Sequence, residues 1–275
     1  MKKIGIVSND KYINKIAEDI NTKKFLNSMG YKAEIISWED ENINYSDYSS
    51  LLLRSVWGYQ HNYDKFIKWL DMLENNNITI FNDVATIKSN IRKDIQFKIL
   101  DKYNIPHIKT IFQKESLDLK SFMPDYIVKP IISGSGDNTT RIKDANIEIL
   151  NKIISENDNG IMIQPYEKTI GNGEYSIIFI DGFNTHNMLR YPGIFYKKER
   201  PRQLFDVPKK VLDLAYKVKN IPEYKELLYM RIDIVDSNNP KIMEVELAEP
   251  DLLTRNIDSH IPIGVLCNGI IRRIK

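Results

Sequence analysis

The first third of the chain alternates short apolar runs with segments whose apolar residues recur at helical spacing. This alternation is typical of βαβ units around a mostly parallel sheet. The apolar runs predict strands at residues 3–7, 32–38, 50–53 and 78–81. The helical segments predict helices at residues 12–29, ended by Gly30, and at residues 63–73. We therefore predict a small α/β domain over residues 1–84.

The remaining residues, 85–275, predict a second domain of the α+β type. It begins with one long hinge helix over residues 85–103, which ends before Pro106 because a residue that precedes proline disfavours helical backbone. Strands are predicted at residues 108–112, 126–129, 160–164, 174–180, 228–235 and 241–247. Further helices are predicted at residues 146–155, 208–218 and 262–274. We expect a small lid subdomain at about residues 106–165 and a carboxy-terminal subdomain at about residues 166–275.

Composition narrows the class of protein. Among 275 residues, 39 Lys and Arg against 37 Asp and Glu give a net charge of +2, and both signs are interspersed, so no nucleic-acid-binding face is expected. No run reaches the roughly 18–20 apolar residues of a membrane span. The single cysteine, Cys267, cannot form an internal disulfide, and the four histidines are scattered rather than spaced for zinc. We expect a cytoplasmic protein with small-molecule partners, and the sequence leaves its oligomeric state open.

The segment at residues 228–247 predicts a β-hairpin with one polar face. Arg231 and Asp233 alternate with apolar residues in the first strand, as Glu244 and Glu246 do in the second. If a loop over residues 237–240 fixes the register, Asp233 lies opposite Glu244 and Arg231 lies opposite Glu246. Like charges that face each other destabilise a sheet unless a cation lies between them, and Mg²⁺ prefers such carboxylate oxygens. The alternative is an exposed hairpin whose acids are simply hydrated.

Two further segments suggest a nucleotide site. Lys129 ends an apolar strand and precedes the small residues 133–136, which include Ser135 and Gly136 and whose backbone N–H groups could surround an anion. Gln164, Tyr166 and Glu167 end another strand, and Glu174 follows shortly after, so these groups could contact a base and ribose hydroxyls. Each segment alone is also compatible with an ordinary turn.

The order of these motifs resembles the ATP-grasp enzymes, on the branch of glutathione synthetases and amino-acid ligases, over residues 93–249. The resemblance implies an ATP-grasp fold preceded by a small α/β domain. It implies that Lys93 and Lys129 contact ATP phosphates and that Glu174 binds the ribose. It further implies that residues 164–167 line the adenine, and that two Mg²⁺ ions are bound by Asp233, Glu244 and Glu246.

Two departures from this family concern charge. Many relatives carry Asn where this chain has Glu246, which is still an oxygen ligand. Relatives tend to place an Arg after a Pro-Gly-x-Phe turn, whereas residues 192–195 are followed here by Tyr and two Lys. The cation at the γ-phosphate is therefore open among Arg190, Lys197, Arg202 and Arg231; we take Arg190 and Arg231 as the candidate catalytic residues. The basic loop at residues 197–202 could equally be hydrated surface.

Upstream, residues 52–59 resemble an Arg-Ser-x-Trp-Asp-Tyr segment of a subgroup that includes the O-ureidoserine cyclo-ligases, with Gly58 in place of Asp. Arg54 follows a strand, where open α/β sheets present ligand-binding groups, and its guanidinium suits a substrate carboxylate. Arg54, Ser55 and Trp57 are therefore the candidate substrate-binding residues. The alternative is that Arg54 and Trp57 only pack against the helix at Phe66.

Together these features predict an ATP-dependent, ADP-forming carboxylate–amine ligase acting on an amino-acid-like molecule through an acyl phosphate. An intramolecular amine would make it a cyclo-ligase. Two alternatives stay open from the sequence: a phosphotransferase on the same fold, and a nucleotide-binding module without turnover.

Overall fold

The computed structural model describes residues 3–116, 125–134, 138–143, 147–191 and 201–274. Within these ranges the chain forms seven α-helices and twelve β-strands, and the strands join into three sheets. None of the described helices is long and apolar enough to cross a membrane. The mixed architecture agrees with the predicted α/β and α+β classes, whereas the domain boundary at residue 84 stays a prediction.

The amino-terminal sheet has three parallel strands in the order β2–β1–β3. They are β1 (Lys3–Ser8), β2 (Ala33–Ser37) and β3 (Tyr48–Leu53). Helix α1 (Ala17–Ser28) connects β1 to β2, and α2 (Tyr63–Asn75) follows β3. Phe66 and Leu70 of α2 are fully buried against Val7, Leu51 and Leu53 of the sheet. Burial of this apolar helix face fixes the helix on the sheet.

Two predicted elements of this domain are wrong in extent. Helix α1 begins at Ala17 rather than at residue 12, because Asn14 has a φ of 56°, a left-handed conformation that an α-helix excludes. The predicted strand at residues 78–81 forms only one parallel β-bridge, between Ile80 and Leu51. Asn82, with a φ of 55°, then turns the chain away from the sheet.

The predicted hinge helix is also wrong, because it consists of two helices, α3 (Val84–Asn90) and α4 (Lys93–Lys102). Arg92 between them is extended, with φ −99° and ψ 105°. The backbone N–H of Lys93 donates instead to the carbonyl of Ile131, at 3.3 Å. The break therefore makes Lys93 the first residue of α4. It also connects Lys93 to Ile131, two residues after Lys129.

The region predicted as the lid subdomain contains a four-stranded antiparallel sheet, called the lid sheet here, in the order β4–β7–β5–β6. Its strands are β4 (Ile111–Gln113), β5 (Tyr126–Pro130), β6 (Thr140–Ile142) and β7 (Ile161–Pro165). Helix α5 (Ile147–Ser155) covers one face and buries Leu150 and Ile154 against Val128 and Ile163. The short strand β6 was not predicted, and Asn146, the predicted start of α5, lies outside the described residues.

The third sheet is antiparallel and has the order β10–β9–β8–β11–β12. It comprises β8 (Glu174–Ile180), β9 (Phe183–Arg190), β10 (Arg202–Gln203), β11 (Tyr229–Val235) and β12 (Lys241–Glu246). Helix α6 (Lys209–Lys219) packs on one face, and α7 (His260–Arg273) packs on the other, where the amino-terminal sheet also contributes to the core. This sheet therefore connects the two predicted domains.

Strands β9 and β10 are absent from the prediction. Asp181 and Gly182, with φ of 53° and 83°, form the two-residue turn that joins β8 to β9. Asp-Gly between two strands is a strong hairpin signal. This dipeptide could therefore have identified β9, the strand that carries Arg190.

The outer edge of β12 bonds at Ile242 to the backbone of Pro106 and Ile108, and beyond this bridge side-chain amides satisfy it. Gln96 donates to the carbonyl of Val245 at 2.6 Å and accepts from its N–H at 3.0 Å. Asn90 donates to the same carbonyl at 2.8 Å and accepts from the N–H groups of Leu247 and Ala248, at 2.8 and 3.2 Å. Helices α3 and α4 thus supply the partners that buried backbone groups require, and they fix the strand that carries Glu244 and Glu246.

Candidate active site

The acidic hairpin has the predicted cross-strand pairs: Arg231 faces Glu246, and Asp233 faces Glu244. Its loop is longer than predicted, however, because Asp236, with a φ of 61°, belongs to the turn. A β-bulge at Met243 absorbs the difference, so that Ile234 pairs with Ile242. The bulge restores the register of the carboxylates.

Strict alternation with Glu244 and Glu246 predicts that Met243 shares the apolar face with Val245, and the bulge shows that this is wrong. Ile242 is buried in the core in its place, whereas Met243 packs with Ile108, Ile170 and Val235. Met243 therefore lines the adjacent cavity instead of the core of the sheet.

Asp233 is the centre of a buried ion-pair network. Its carboxylate accepts from Arg190 at 2.7 Å, from Arg231 at 3.0 Å, and from the Ser176 hydroxyl at 2.6 Å. Arg190 also pairs with Glu174 and donates to Ser176. Burial opposes the ionisation of Asp233, but the two guanidinium groups outweigh it and lower its pKa to about 2. The network places both candidate catalytic arginines beside the predicted metal ligands.

Each of the other two predicted metal ligands also contacts a cation. Glu244 pairs with Lys93, and Glu246 pairs with Arg231. Burial raises the pKa of Glu246 to about 8 despite Arg231. Burial disfavours the charged form of Lys93, but Glu244 outweighs it and raises the pKa of this lysine. In the part of the chain that the structure describes, no three Asp, Glu, His or Cys side chains are arranged to hold a metal ion.

The donor set nevertheless has the chemistry that Mg²⁺ prefers, since carboxylate oxygens from two adjacent strands face one cavity. The partners that now neutralise these carboxylates are the same lysine and arginine side chains that a triphosphate would attract. The residues therefore fit a Mg²⁺ ion that binds together with phosphates.

Lys129 differs from the other cations. It lines the cavity, but no hydrogen bond or ion pair to its ammonium group is formed by any described residue. Burial lowers its pKa, although Glu244 nearby acts in the opposite direction. A half-buried ammonium group without an anion is suited to bind a phosphate.

The first cavity at the site, of about 380 Å³, lies between the lid sheet and the third sheet. One end is apolar and is lined by Ile108, Ile127, Ile170 and Met243, none of which was predicted. This cavity is also lined by all the predicted base- and ribose-binding residues, namely Gln164, Tyr166, Glu167 and Glu174.

Three of these predicted residues already have partners. Gln164 donates to the hydroxyl of Thr110 at 2.9 Å, and the guanidinium of Arg141 lies 3.4 Å from the ring centre of Tyr166. Glu167 pairs with Lys241 at 3.0 Å and accepts from Thr169. These contacts fix the side chains at the apolar end. Both carboxylate oxygens of Glu167 already accept hydrogen bonds, so neither is free to accept one from a ribose hydroxyl.

A second cavity, of about 230 Å³, continues from the carboxylates towards the amino-terminal domain. Ser133, Gly134, Glu244 and Glu246 line both cavities. Ser135 and Gly136, the other predicted phosphate-loop residues, lie outside the described residues, as does Lys197. Arg202 is exposed on β10 and lines neither cavity. Arg190 and Arg231 are thus the two candidates for the γ-phosphate that the structure brings to the site.

The second cavity also contains Tyr59, Asn90 and Glu249, which the sequence did not identify. Burial raises the pKa of Glu249, although Lys93 lowers it. In the sequence, the only signal for Glu249 was its position as the last residue of the segment that resembles the ATP-grasp enzymes.

The predicted substrate residues lie at the far side of this cavity. Arg54 is 2% exposed, pairs with Glu18 and donates to the carbonyl of Pro250 at 2.9 Å. The Ser55 hydroxyl donates to Asp19, and its oxygen lies 2.8 Å from the hydroxyl of Ser8. Trp57 lines the cavity, and its indole N–H donates to the carbonyl of Glu249 at 3.1 Å. Of the three, only Trp57 lines the second cavity.

Two family models match the chain. The ATP-grasp domain of prokaryotic glutathione synthetase matches residues 100–259, and the amino-terminal domain of D-cycloserine synthetase DcsG matches residues 4–82. The cycloserine biosynthesis protein DcsG of Streptomyces lavendulae is 20% identical over 253 residues, which cover 82% of this chain and 84% of that protein.

Solved structures share the fold. The crystal structure of D-cycloserine synthetase DcsG has a TM-score of 0.80 at 16% identity and covers 99% of this chain and 100% of its own. The D-alanine–D-alanine ligase from Bacillus anthracis, complexed with ATP, has a TM-score of 0.70 at 19% identity, with coverage of 100% and 97%. The ATP-grasp ligase PsnB, complexed with a minimal precursor, has a TM-score of 0.70 at 14% identity, with full coverage of both chains. The predicted ATP-grasp fold is confirmed.

Proposed function

We propose the following reaction for this chain, which belongs to the prokaryotic glutathione synthetase ATP-grasp family and is an ADP-forming C–N ligase. It uses ATP with Mg²⁺ to join the carboxylate of an amino-acid-like molecule to an amine. The reaction passes through an acyl phosphate. One observation carries the proposal. Two lysines, two arginines and three carboxylates from different elements meet where two cavities join.

The residues divide the work along the cavity. We assign the apolar end, with Tyr166 and Met243, to the base, and Gln164 to its polar edge. Glu174 is the group nearest the ribose in this scheme, and Glu167 fixes the local turn through Thr169 and Lys241. With the base of ATP at the apolar end, its phosphates would lie at the charged end of the cavity.

At the charged end, Lys93 and Lys129 would bind the phosphates, and Lys129 is the cation that already lacks an anion among the described residues. Asp233, Glu244 and Glu246 would hold two Mg²⁺ ions, which when bound neutralise charge on the β- and γ-phosphates. Arg190 and Arg231 flank Asp233 and would stabilise charge on the transferred phosphoryl group.

The substrate carboxylate would enter the second cavity, where its oxygen attacks the γ-phosphorus and ADP leaves. An amine then attacks the acyl carbon, its proton is lost, and phosphate leaves. If the amine belongs to the same molecule, the product is cyclic. Arg54, Ser55 and Trp57 are assigned to this side because they belong to the amino-terminal domain, away from the nucleotide residues.

The test is a screen of amino acids, singly and in pairs, for ADP formation by the full chain with Mg²⁺ and ATP. We expect ADP and phosphate as products, together with a molecule whose mass is the sum of the two substrates less one water, or one substrate less one water if the ligation is intramolecular. Hydroxylamine in place of the amine should give a hydroxamate. AMP as the coupled product would refute the acyl phosphate. ADP with a stable phosphorylated product and no amide would favour a phosphotransferase.

A further inference from the structure

The segment that follows β12 is fixed by three side-chain hydrogen bonds in succession. The backbone carbonyls of residues 248–250 each accept a hydrogen bond from a side chain that is buried or half-buried. The donors are, in that order, Tyr229, Trp57 and Arg54, at 3.0, 3.1 and 2.9 Å. Trp57 and Arg54 thus bond to the main chain at Glu249 and directly after it. The backbone that carries this glutamate therefore has a defined position.

The side chain of Glu249 lines the second cavity and is half-buried there. Its carboxylate accepts a hydrogen bond from the hydroxyl of Tyr59, whose side chain is 3% exposed. Within the described ranges, no lysine, arginine or histidine forms an ion pair with Glu249. Trp57 and Tyr59 both belong to the segment at residues 52–59, so this segment orients both the backbone and the carboxylate of Glu249.

Glu249 differs from the other three acids that line the second cavity. Glu244 and Glu246 have ion-pair partners and are the proposed Mg²⁺ ligands. Asp251 pairs at 2.7 Å with Arg255, an exposed arginine of the same turn. Among the described residues, Glu249 is therefore the one carboxylate of this cavity that has neither an ion pair nor a place in the scheme above.

Amide formation in this cavity requires a proton acceptor. An aliphatic amine is protonated at neutral pH, and its nitrogen has no lone pair for attack until a proton is removed. A general base must lie where the nucleophile enters, and it must be unprotonated and free of a metal ion. The scheme above names no group that receives this proton.

We propose that Glu249 is the catalytic residue that deprotonates the attacking amine, with Tyr59 and Trp57 as its positioning residues. The proposal rests on the proposed function and supplies the proton acceptor for its second step. The carboxylate takes one proton from the ammonium group, and the nitrogen lone pair forms the C–N bond while the bond from the acyl carbon to the phosphate oxygen breaks. The second proton of the nitrogen leaves with the phosphate, as hydrogen phosphate. Glu249 then returns its own proton to water.

The charged and polar groups around Glu249 are consistent with this role. Burial raises the pKa of Glu249, which makes its carboxylate a stronger base. Lys93, Tyr59 and Arg231 oppose burial and so favour the carboxylate form that accepts a proton. Glu244 acts in the same direction as burial.

The experiment compares two nucleophiles with the full chain, Mg²⁺ and ATP. One is the amine of the substrate or substrate pair that the amino-acid screen identifies, and the other is hydroxylamine. Hydroxylamine is uncharged at neutral pH, so it can attack the acyl phosphate without prior deprotonation. The rates of amide and hydroxamate formation are measured by mass spectrometry for the parent chain, Glu249→Gln, Tyr59→Phe and a control, Glu226→Gln. Glu226 is exposed and lines neither the first nor the second cavity. Melting temperatures and the affinity for an ATP analogue show whether each variant is folded.

Glu249→Gln should slow amide formation roughly 10²- to 10⁴-fold, the usual contribution of a general base, and should form the hydroxamate at the parent rate. The amide rate of this variant should rise as the pH approaches the pKa of the amine, because more of the amine is then uncharged. Tyr59→Phe should slow amide formation less and leave the hydroxamate rate unchanged, and Glu226→Gln should change neither rate.

An amide rate of Glu249→Gln equal to that of the parent chain would overturn the proposal. So would an equal loss of amide and hydroxamate, because Glu249 would then act in phosphoryl transfer or metal binding. A higher KM for the amine at unchanged kcat would also overturn it, since Glu249 would then only bind the amine. Each of these results leaves the proposed function intact. If the parent chain forms no amide, the proposed function fails, and the role of Glu249 fails with it.

Discussion

Asn90 offers a quantitative test of how the fold holds the active-site strand. Its side chain is 5% exposed and accepts from the N–H groups of Leu247 and Ala248, which are themselves buried. In Asn90→Leu the volume is nearly kept, but both N–H groups lose their acceptor. The carbonyl of Val245 keeps its bond from Gln96. Two orphaned donors at about 1–3 kcal/mol each predict a loss of about 2–6 kcal/mol in the free energy of unfolding.

The assay is urea unfolding followed by tryptophan fluorescence and circular dichroism. A loss of this size is a large part of the roughly 5–15 kcal/mol of a typical protein, so the unfolding midpoint should fall clearly. The control is Asn62→Leu, because Asn62 is exposed and caps no helix with its side chain. If Asn90→Leu costs less than about 1 kcal/mol, or no more than the control, these hydrogen bonds do not hold the strand and our reasoning is wrong.

Three further substitutions test the site. Lys129→Met should not lower the melting temperature, because no described residue pairs with Lys129 and burial disfavours its charge. It should weaken the binding of a non-hydrolysable ATP analogue roughly 10- to 150-fold in calorimetry, the equivalent of a lost charge-assisted bond of about 1.5–3 kcal/mol. Unchanged affinity would contradict this role. Glu244→Gln should abolish turnover by removing a proposed Mg²⁺ ligand, and normal activity with normal Mg²⁺ activation would exclude that role. Asp19 has a folded-state pKa near 6 against 3.8 in the unfolded chain, so the native state loses about 3 kcal/mol of stability as the pH rises through this window. Asp19→Asn should therefore gain stability relative to the parent chain between pH 4 and pH 7 in urea unfolding. An equal stability difference between the two chains at both pH values would refute the raised pKa of Asp19.

Local patterns were sufficient for elements whose packing follows from their own residues. The alternation in residues 228–235 placed Arg231 and Asp233 on one face, and β11 (Tyr229–Val235) has that arrangement. Strand β8 was predicted with the bounds it has. The cross-strand pairs of the charged residues were also predicted, from the register that buries the apolar face, whereas the pairs near the turn were not, because the bulge shifts them.

Features that depend on distant partners could not be predicted in this way. Arg92 interrupts an otherwise helical pattern because the chain beside it bonds to Ile131 of the lid, about forty residues away in sequence. The ion pair between Arg54 and Glu18 joins the end of β3 to the first turn of α1, and no local spacing indicates it. Asn90 and Gln96 read as ordinary polar helix residues until the edge of β12 is placed beside them.

The bulge at Met243 shows why the base pocket, in particular, was beyond the sequence argument. Strict alternation would place Met243 in the core and leave the apolar end of the first cavity without this side chain. One extra residue in β12 reverses the facing of the strand between Ile242 and Glu244, so that Met243 and Glu244 both line the cavity. A single strand thereby contributes an apolar wall for the base and carboxylates for the charged end. Because the bulge compensates for Asp236 in the turn, a change that shortens this loop by one residue must either remove the bulge or shift Glu244 and Glu246 away from the face that they share with Asp233.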